Sequence, residues 1–139
     1  MRRIARVLAG VNAVYQGLAG ILCIASPPLA AGAFKIGEPS PVVAALIRIA
    51  GGLLVGNALW LGLLARAPEA HPLLAPLVIA GSVVNLTADA AIIFASDMRF
   101  DQLGAGMVLQ FLLVAALAAA LFSGALRAAH PGPEGKATT

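Results

Sequence analysis

Charged residues are scarce in this sequence: Asp, Glu, Lys and Arg together make up 11% of its 139 residues. Soluble globular domains carry about 25% of such residues. Apolar residues account for 60% of the chain and recur in long runs, and a helix that crosses a bilayer needs about 20 of them. The composition excludes an ordinary soluble domain and predicts a polytopic membrane protein.

Cysteine and histidine are also nearly missing. The single cysteine, Cys23, excludes an intrachain disulfide and any cysteine-based metal cluster. The two histidines, His71 and His130, stand beside prolines in separate predicted loops, so we expect no metal site. The chain contains no phosphate-binding loop, nucleophile elbow or HExxH motif, and we assign no catalytic residue.

Positive charge is in slight excess, with a formal net charge of +3, and it collects at the ends of the predicted helices. No basic stripe is present, so nucleic acid is not an expected partner. Lys35 and Arg99 fall on one side of the predicted membrane, whereas the side with both termini holds Arg2, Arg3, Arg6, Arg66, Arg127 and Lys136. The positive-inside rule then predicts that both termini are cytoplasmic.

Four membrane helices are predicted, at about residues 4–25, 42–65, 73–95 and 103–126. We interpret the first as a retained membrane helix rather than a cleaved signal peptide, because its apolar run is long and contains polar residues. Ser26-Pro27-Pro28 is expected to stop it, and the apolar stretch 29–36 is expected to lie along the membrane interface.

The predicted fold class is therefore all-α: a polytopic membrane four-helix bundle with short loops. Residues 1–128 form its single domain, and 129–139 form a polar, flexible tail. The expected location is the inner membrane of a bacterium, with both termini in the cytoplasm.

Each predicted helix carries a strongly polar residue at a similar depth. At about 1.5 Å per residue, these residues lie roughly 9–13 Å below the outer helix ends. With Asn85, which shares a helical face with Asp89, they define a predicted buried polar layer of Gln16, Arg48, Asn85, Asp89 and Gln110.

Arg48 and Asp89 have opposite charges inside the predicted spans, so we expect them to pair, directly or through Asn85 or Gln110. One interpretation is a structural ion pair that fixes the helix register. Another is a pocket open to the outer side, where Arg48 binds an anionic or carbonyl group and Asp89 orients it. Asn57 projects opposite Arg48 and is expected to contact a neighbouring helix or a partner protein.

Several short motifs together resemble the DoxX-like group of small four-helix bacterial membrane proteins. They are Gln16-Gly17 ahead of Pro27, the run from Arg48 to Gly52, the segment Asn85–Asp89 and the acidic turn before the last helix. The resemblance implies a four-helix bundle. Some members of the group are linked to quinone-dependent sulfur oxidation or to membrane redox complexes. No catalytic residue is carried over.

Three functions remain open. The preferred one is a non-enzymatic accessory or scaffold subunit of a larger membrane assembly or homo-oligomer. The second is a membrane redox or quinone- or lipid-handling protein with an outer-leaflet pocket at Arg48 and Asp89. The third is a small transporter that works as an oligomer. No cofactor is expected unless a quinone or lipid is bound, and membrane lipids are expected partners.

Overall fold

The computed structural model describes residues 2–67, 73–96 and 105–129, and its regular structure in these ranges is entirely helical. The helices are α1 (Arg2–Ala25), α2 (Pro27–Ala33), α3 (Pro41–Arg66), α4 (Leu74–Ala95) and α5 (Ala105–Ala129). The all-α prediction is confirmed. Helices α1, α3, α4 and α5 correspond to the four predicted spans, whereas the predicted turn 97–101 and the tail beyond residue 129 lie outside the described residues.

Three of these helices are long and apolar enough to cross a membrane. The spans are Arg3–Ala25, Pro41–Arg66 and Leu74–Ala95, and α5 contains the shorter apolar segment Met107–Leu121. Length and composition alone support this statement, since about 20 apolar residues of helix match the hydrocarbon thickness of a bilayer.

Helix α1 has an apolar outside and a polar inside. Its exposed stripe consists of Val7, Val11, Val14, Leu18 and Ile21, each of them more than half exposed. Asn12 and Gln16 on the opposite side are completely buried. A helix on the surface of a water-soluble protein has the reverse arrangement. The outer surface of α1 is therefore suited to contact with lipid.

Helix α2 begins where the sequence predicted only a stop. Ser26 precedes the helix with a non-helical backbone, and Pro27 occupies the first helical turn, where a missing N–H has no cost. Pro27, Ala30 and Ala31 are buried, and α2 packs against α1 and α3. The chain then leaves the helix through Lys35, whose φ of 60° is left-handed, and Ile36 N–H donates to the Ala31 carbonyl.

Helix α3 is started by a serine–proline pair. The Ser40 hydroxyl accepts a hydrogen bond from the Val43 N–H at 3.3 Å, and Pro41 is the first helical residue. Capping satisfies one of the free N–H groups at the helix start. The first turn of α3 lies at the same end of the bundle as α2, because Val43 packs in one cluster with Ala30 and Ala31.

Two glycines allow α1 and α3 to approach closely. A Cβ atom added at Gly20 would lie 2.7 Å from the Gly51 carbonyl oxygen, and one at Gly51 would lie 2.8 Å from the Gly20 carbonyl oxygen. Small residues at such crossings let membrane helices pack backbone to backbone. Gly20 and Gly51 therefore let the backbones of α1 and α3 pack against each other with no side chain between them.

Apolar clusters occupy both ends of the bundle interior. One end contains Cys23, Ala30, Ala31, Val43, Ile47, Ala50, Leu54 and Ile92. The other contains Ala9, Leu61, Leu64, Leu74, Val78 and Leu117. Polar side chains of the same helices lie at intermediate positions, so the interior has a polar section between two apolar ones.

Candidate functional site

Seven polar side chains are buried among the described residues, and each comes from one of the four long helices. They are Asn12, Gln16, Asn57, Ser82, Asn85, Asp89 and Gln110. Asp89 is the most exposed of them, at 7%. Polar side chains that hydrogen-bond between helices stabilise helix packing in an apolar environment. Interior contacts among polar groups thus join all four long helices.

Five of these residues form a connected group, which we call the amide cluster: Asn12, Gln16, Asn57, Ser82 and Asn85. Gln16 is its centre, because its Oε1 accepts from Asn57 Nδ2 at 3.0 Å and from Asn85 Nδ2 at 3.4 Å. Its Nε2 donates to Asn12 Oδ1 at 2.9 Å. One side chain of α1 is thereby bonded to both α3 and α4.

Ser82 completes the amide cluster on α4. Its hydroxyl donates to the Val78 carbonyl at 2.8 Å and accepts from Asn57 Nδ2 at 3.3 Å. A Cβ atom at the neighbouring Gly81 would collide with Asn57 Oδ1. Gly81 is therefore needed for the Asn57 side chain to fit between α3 and α4.

Three polar atoms of the amide cluster have no hydrogen-bond partner among the described residues: Asn12 Nδ2, Asn57 Oδ1 and Asn85 Oδ1. Each such atom costs about 1–3 kcal/mol when it is enclosed. The cluster is uncharged and contains no nucleophile next to a base. Its hydrogen bonds connect α1, α3 and α4.

Asp89 and Gln110 form a second polar contact, nearer to the end of the bundle where α2 lies. Gln110 Nε2 donates to Asp89 Oδ2 at 2.7 Å, which joins α4 to α5. A cavity of about 10 Å³ adjoins this pair, and Phe34 and Ile36 after α2 are among the residues that line it. That volume is about what one water molecule needs, whereas organic ligands occupy roughly 300–1,000 Å³.

The structure does not bring Arg48 to Asp89. Arg48 is exposed on the outside of α3, and Asp89 is bonded to Gln110 instead. Among the described residues Arg48 forms no ion pair. The prediction that it belongs to the buried layer is therefore wrong, whereas Gln16, Asn85, Asp89 and Gln110 are all buried as expected.

Asn57 takes the inward position that had been predicted for Arg48. It is 3% exposed and hydrogen-bonds to α1 and α4, so of the two contacts expected for it the structure shows the one with neighbouring helices. The signal was present in the spacing of α3, where buried positions recur every three or four residues: Val43, Ile47, Ala50, Leu54, Asn57, Leu61 and Leu64. Arg48 lies about 150° from the centre of this stripe, close to the opposite side of the helix.

A groove of about 360 Å³ runs between α3 and α4 on the outside of the bundle. Gly52 and Gly56 form its α3 side, and a Cβ atom at either glycine would have nothing within 4 Å. The walls are exposed apolar side chains, namely Leu53, Trp60, Leu77 and Val84. Unlike the cavity beside Asp89, this groove has the volume of a ligand site.

The remaining candidates offer no reactive centre in the part of the chain that the structure describes. Cys23 is a free, buried cysteine in the apolar cluster near α2. Within the described ranges no three His, Cys, Asp or Glu side chains are grouped so that they could hold a metal ion.

Comparison of the chain with protein-family models, with curated proteins and with solved structures finds no match.

Proposed function

We propose that this chain is a non-enzymatic integral membrane protein that acts as an accessory or scaffold subunit of a larger membrane assembly. In this proposal α1, α3, α4 and α5 form a four-helix bundle in the inner membrane of a bacterium, with both termini in the cytoplasm. The proposal includes the similarity to the DoxX-like group that the short sequence motifs indicate.

One observation carries the proposal: the polar side chains of the interior hydrogen-bond to one another, while the side chains on the outside are mostly apolar. Gln16 joins three helices in the middle, and the cavity beside Asp89 has room for about one water molecule. An interior arranged in this way supports a rigid bundle rather than a substrate site. Recognition is then left to the lipid-facing surface.

Labelling of single cysteines tests the orientation. Cys23→Ala removes the native thiol, and Glu38→Cys and Ala67→Cys place thiols at the two ends of α3, where both positions are exposed. In intact spheroplasts a membrane-impermeant maleimide should label Glu38→Cys alone, and Ala67→Cys should react only after permeabilisation. The opposite pattern would reverse the topology, and labelling of both in intact spheroplasts would remove the membrane span.

Native mass spectrometry of the chain released from its own membranes tests the accessory role. We expect a complex in which this chain and a second membrane protein occur at a fixed ratio. Spectra that contain only this chain and lipid would contradict a subunit role in a hetero-assembly.

A lipid-handling role is the second candidate, and the groove between α3 and α4 is the observation that favours it. The groove is of ligand size and faces the bilayer in the proposed arrangement. It lies on the outside of the bundle, away from the cavity beside Asp89.

A further inference from the structure

Arg48 stands beside the groove, one helical turn before Gly52 along α3. Gly52 follows Arg48 by four residues and Gly56 by eight, and residues separated by four share a helical face. Gly52 and Gly56 line the groove. The groove therefore has a cation one helical turn before its first glycine.

Among the described residues, no carboxylate forms an ion pair with Arg48. This includes Glu38, which stands at the same end of α3. Arg48 is seven residues beyond Pro41, about 10 Å along the helix. At this depth an exposed arginine extends its side chain toward the membrane interface, where lipid phosphates are its available anions.

The groove has room for an acyl chain. Its volume of about 360 Å³ is lined mostly by apolar side chains, and Gly52 and Gly56 add no side chain to its α3 wall. Asn57 and Asn85 also border it, but their unpartnered oxygens are enclosed by protein already. An acyl chain lying over them would remove no further water from those atoms.

We propose that this surface is a binding site for an anionic phospholipid. The lipid phosphate pairs with the Arg48 guanidinium, and one acyl chain lies in the groove along Gly52 and Gly56. Guanidinium and phosphate form charge-assisted, bidentate hydrogen bonds, which explains why a cation should stand at the mouth of an apolar groove. The inference rests on the proposed membrane location and not on a partner protein.

Lipid binding to the purified full chain tests the proposal. Delipidated protein in detergent is titrated with phosphatidylglycerol or phosphatidylcholine of identical acyl chains, and bound lipid is counted by native mass spectrometry. We expect tighter binding of phosphatidylglycerol. Arg48→Gln should weaken it about tenfold, the scale of one lost hydrogen-bonded charge pair, and Arg48→Lys should retain part of the preference.

Variants that fill the groove distinguish the contribution of the acyl chain to binding from that of the headgroup. Gly56→Leu should weaken the binding of both lipids. Gly52→Leu serves as a second variant if Gly56→Leu fails to fold. The matched control is Gly62→Leu, also on α3 with nothing within 4 Å of an added Cβ but outside the groove lining. Gly62→Leu should bind both lipids as the unmodified chain does.

Two results would overturn the proposal. One is equal binding of phosphatidylglycerol by Arg48→Gln and the unmodified chain. The other is a dimer that Gly56→Leu converts to a monomer, since the groove would then hold a second copy of this chain. Because the titration requires no partner, either result leaves the accessory role and the labelling experiment unaffected.

Discussion

The two sides of α3 carry opposite kinds of polar residue. Asn57 on the inner side is neutral, buried and bonded to both α1 and α4. Arg48 on the outer side is charged, exposed and unpaired among the described residues. The difference shows how the helices separate two kinds of polar group: neutral amides that hydrogen-bond to one another lie inside, and the charged guanidinium lies outside.

Alanine substitutions at the adjacent glycines Gly51 and Gly52 compare the inner and outer sides of α3, and they should differ most in their effect on stability. Gly51→Ala should destabilise the bundle by about 1–3 kcal/mol, because its Cβ would lie 2.8 Å from both the Gly20 oxygen and the Cys23 Cβ. Gly52→Ala meets open space and should leave stability unchanged or raise it by about 0.5–1 kcal/mol. Reversible unfolding in mixed detergent micelles gives both values. Equal losses would show that α1 does not pack against Gly51.

Alanine at the two polar positions should have unequal effects. Asn57→Ala removes donors to Gln16 and Ser82, so the free energy of unfolding should fall by about 1–2 kcal/mol. Arg48→Ala should leave the unfolding midpoint in detergent unchanged. The same unfolding assay compares them, and a larger loss for Arg48→Ala would place the arginine inside the bundle after all.

Double-mutant cycles on Asp89 should distinguish its partner. Asp89→Ala and Gln110→Ala should couple by about 0.5–1.5 kcal/mol, because their side chains share a hydrogen bond of 2.7 Å. Asp89→Ala and Arg48→Ala should be additive. Coupling between Asp89 and Arg48 of the same size as that with Gln110 would restore the ion pair expected from the sequence.

The positions of the helices could be predicted from the sequence, because the length of an apolar run and the placement of prolines are local properties. The predicted spans at 42–65 and 73–95 correspond to Pro41–Arg66 and Leu74–Ala95. The burial of Gln16 was also predicted, since a strongly polar residue within an apolar run is expected to face the interior. Helix α2 was missed because Pro27 was interpreted as a stop, although proline is equally compatible with the first turn of a new helix.

The orientation of α3 was not accessible in the same way. Apolar residues lie on most of its sides, so the periodicity of the apolar residues is weak. The prediction for Arg48 was therefore based on its depth along the helix. Depth placed Arg48 level with Asp89, but two residues at one level can still face in different directions. The three-and-four spacing through Ile47, Leu54 and Asn57 had the missing information.

By itself, the sequence predicted an all-helical chain with four membrane helices, together with the polar residues that such helices must accommodate. Among the described residues, three of these helices are long and apolar enough to cross a membrane. Only the tertiary structure decided which of these residues meet. A hydrogen bond of about 3 Å requires two helices to have the correct rotation as well as the correct depth. Rotation is set by close contacts such as Gly20 with Gly51 and Gly81 with Asn57, which bring together residues far apart in the chain.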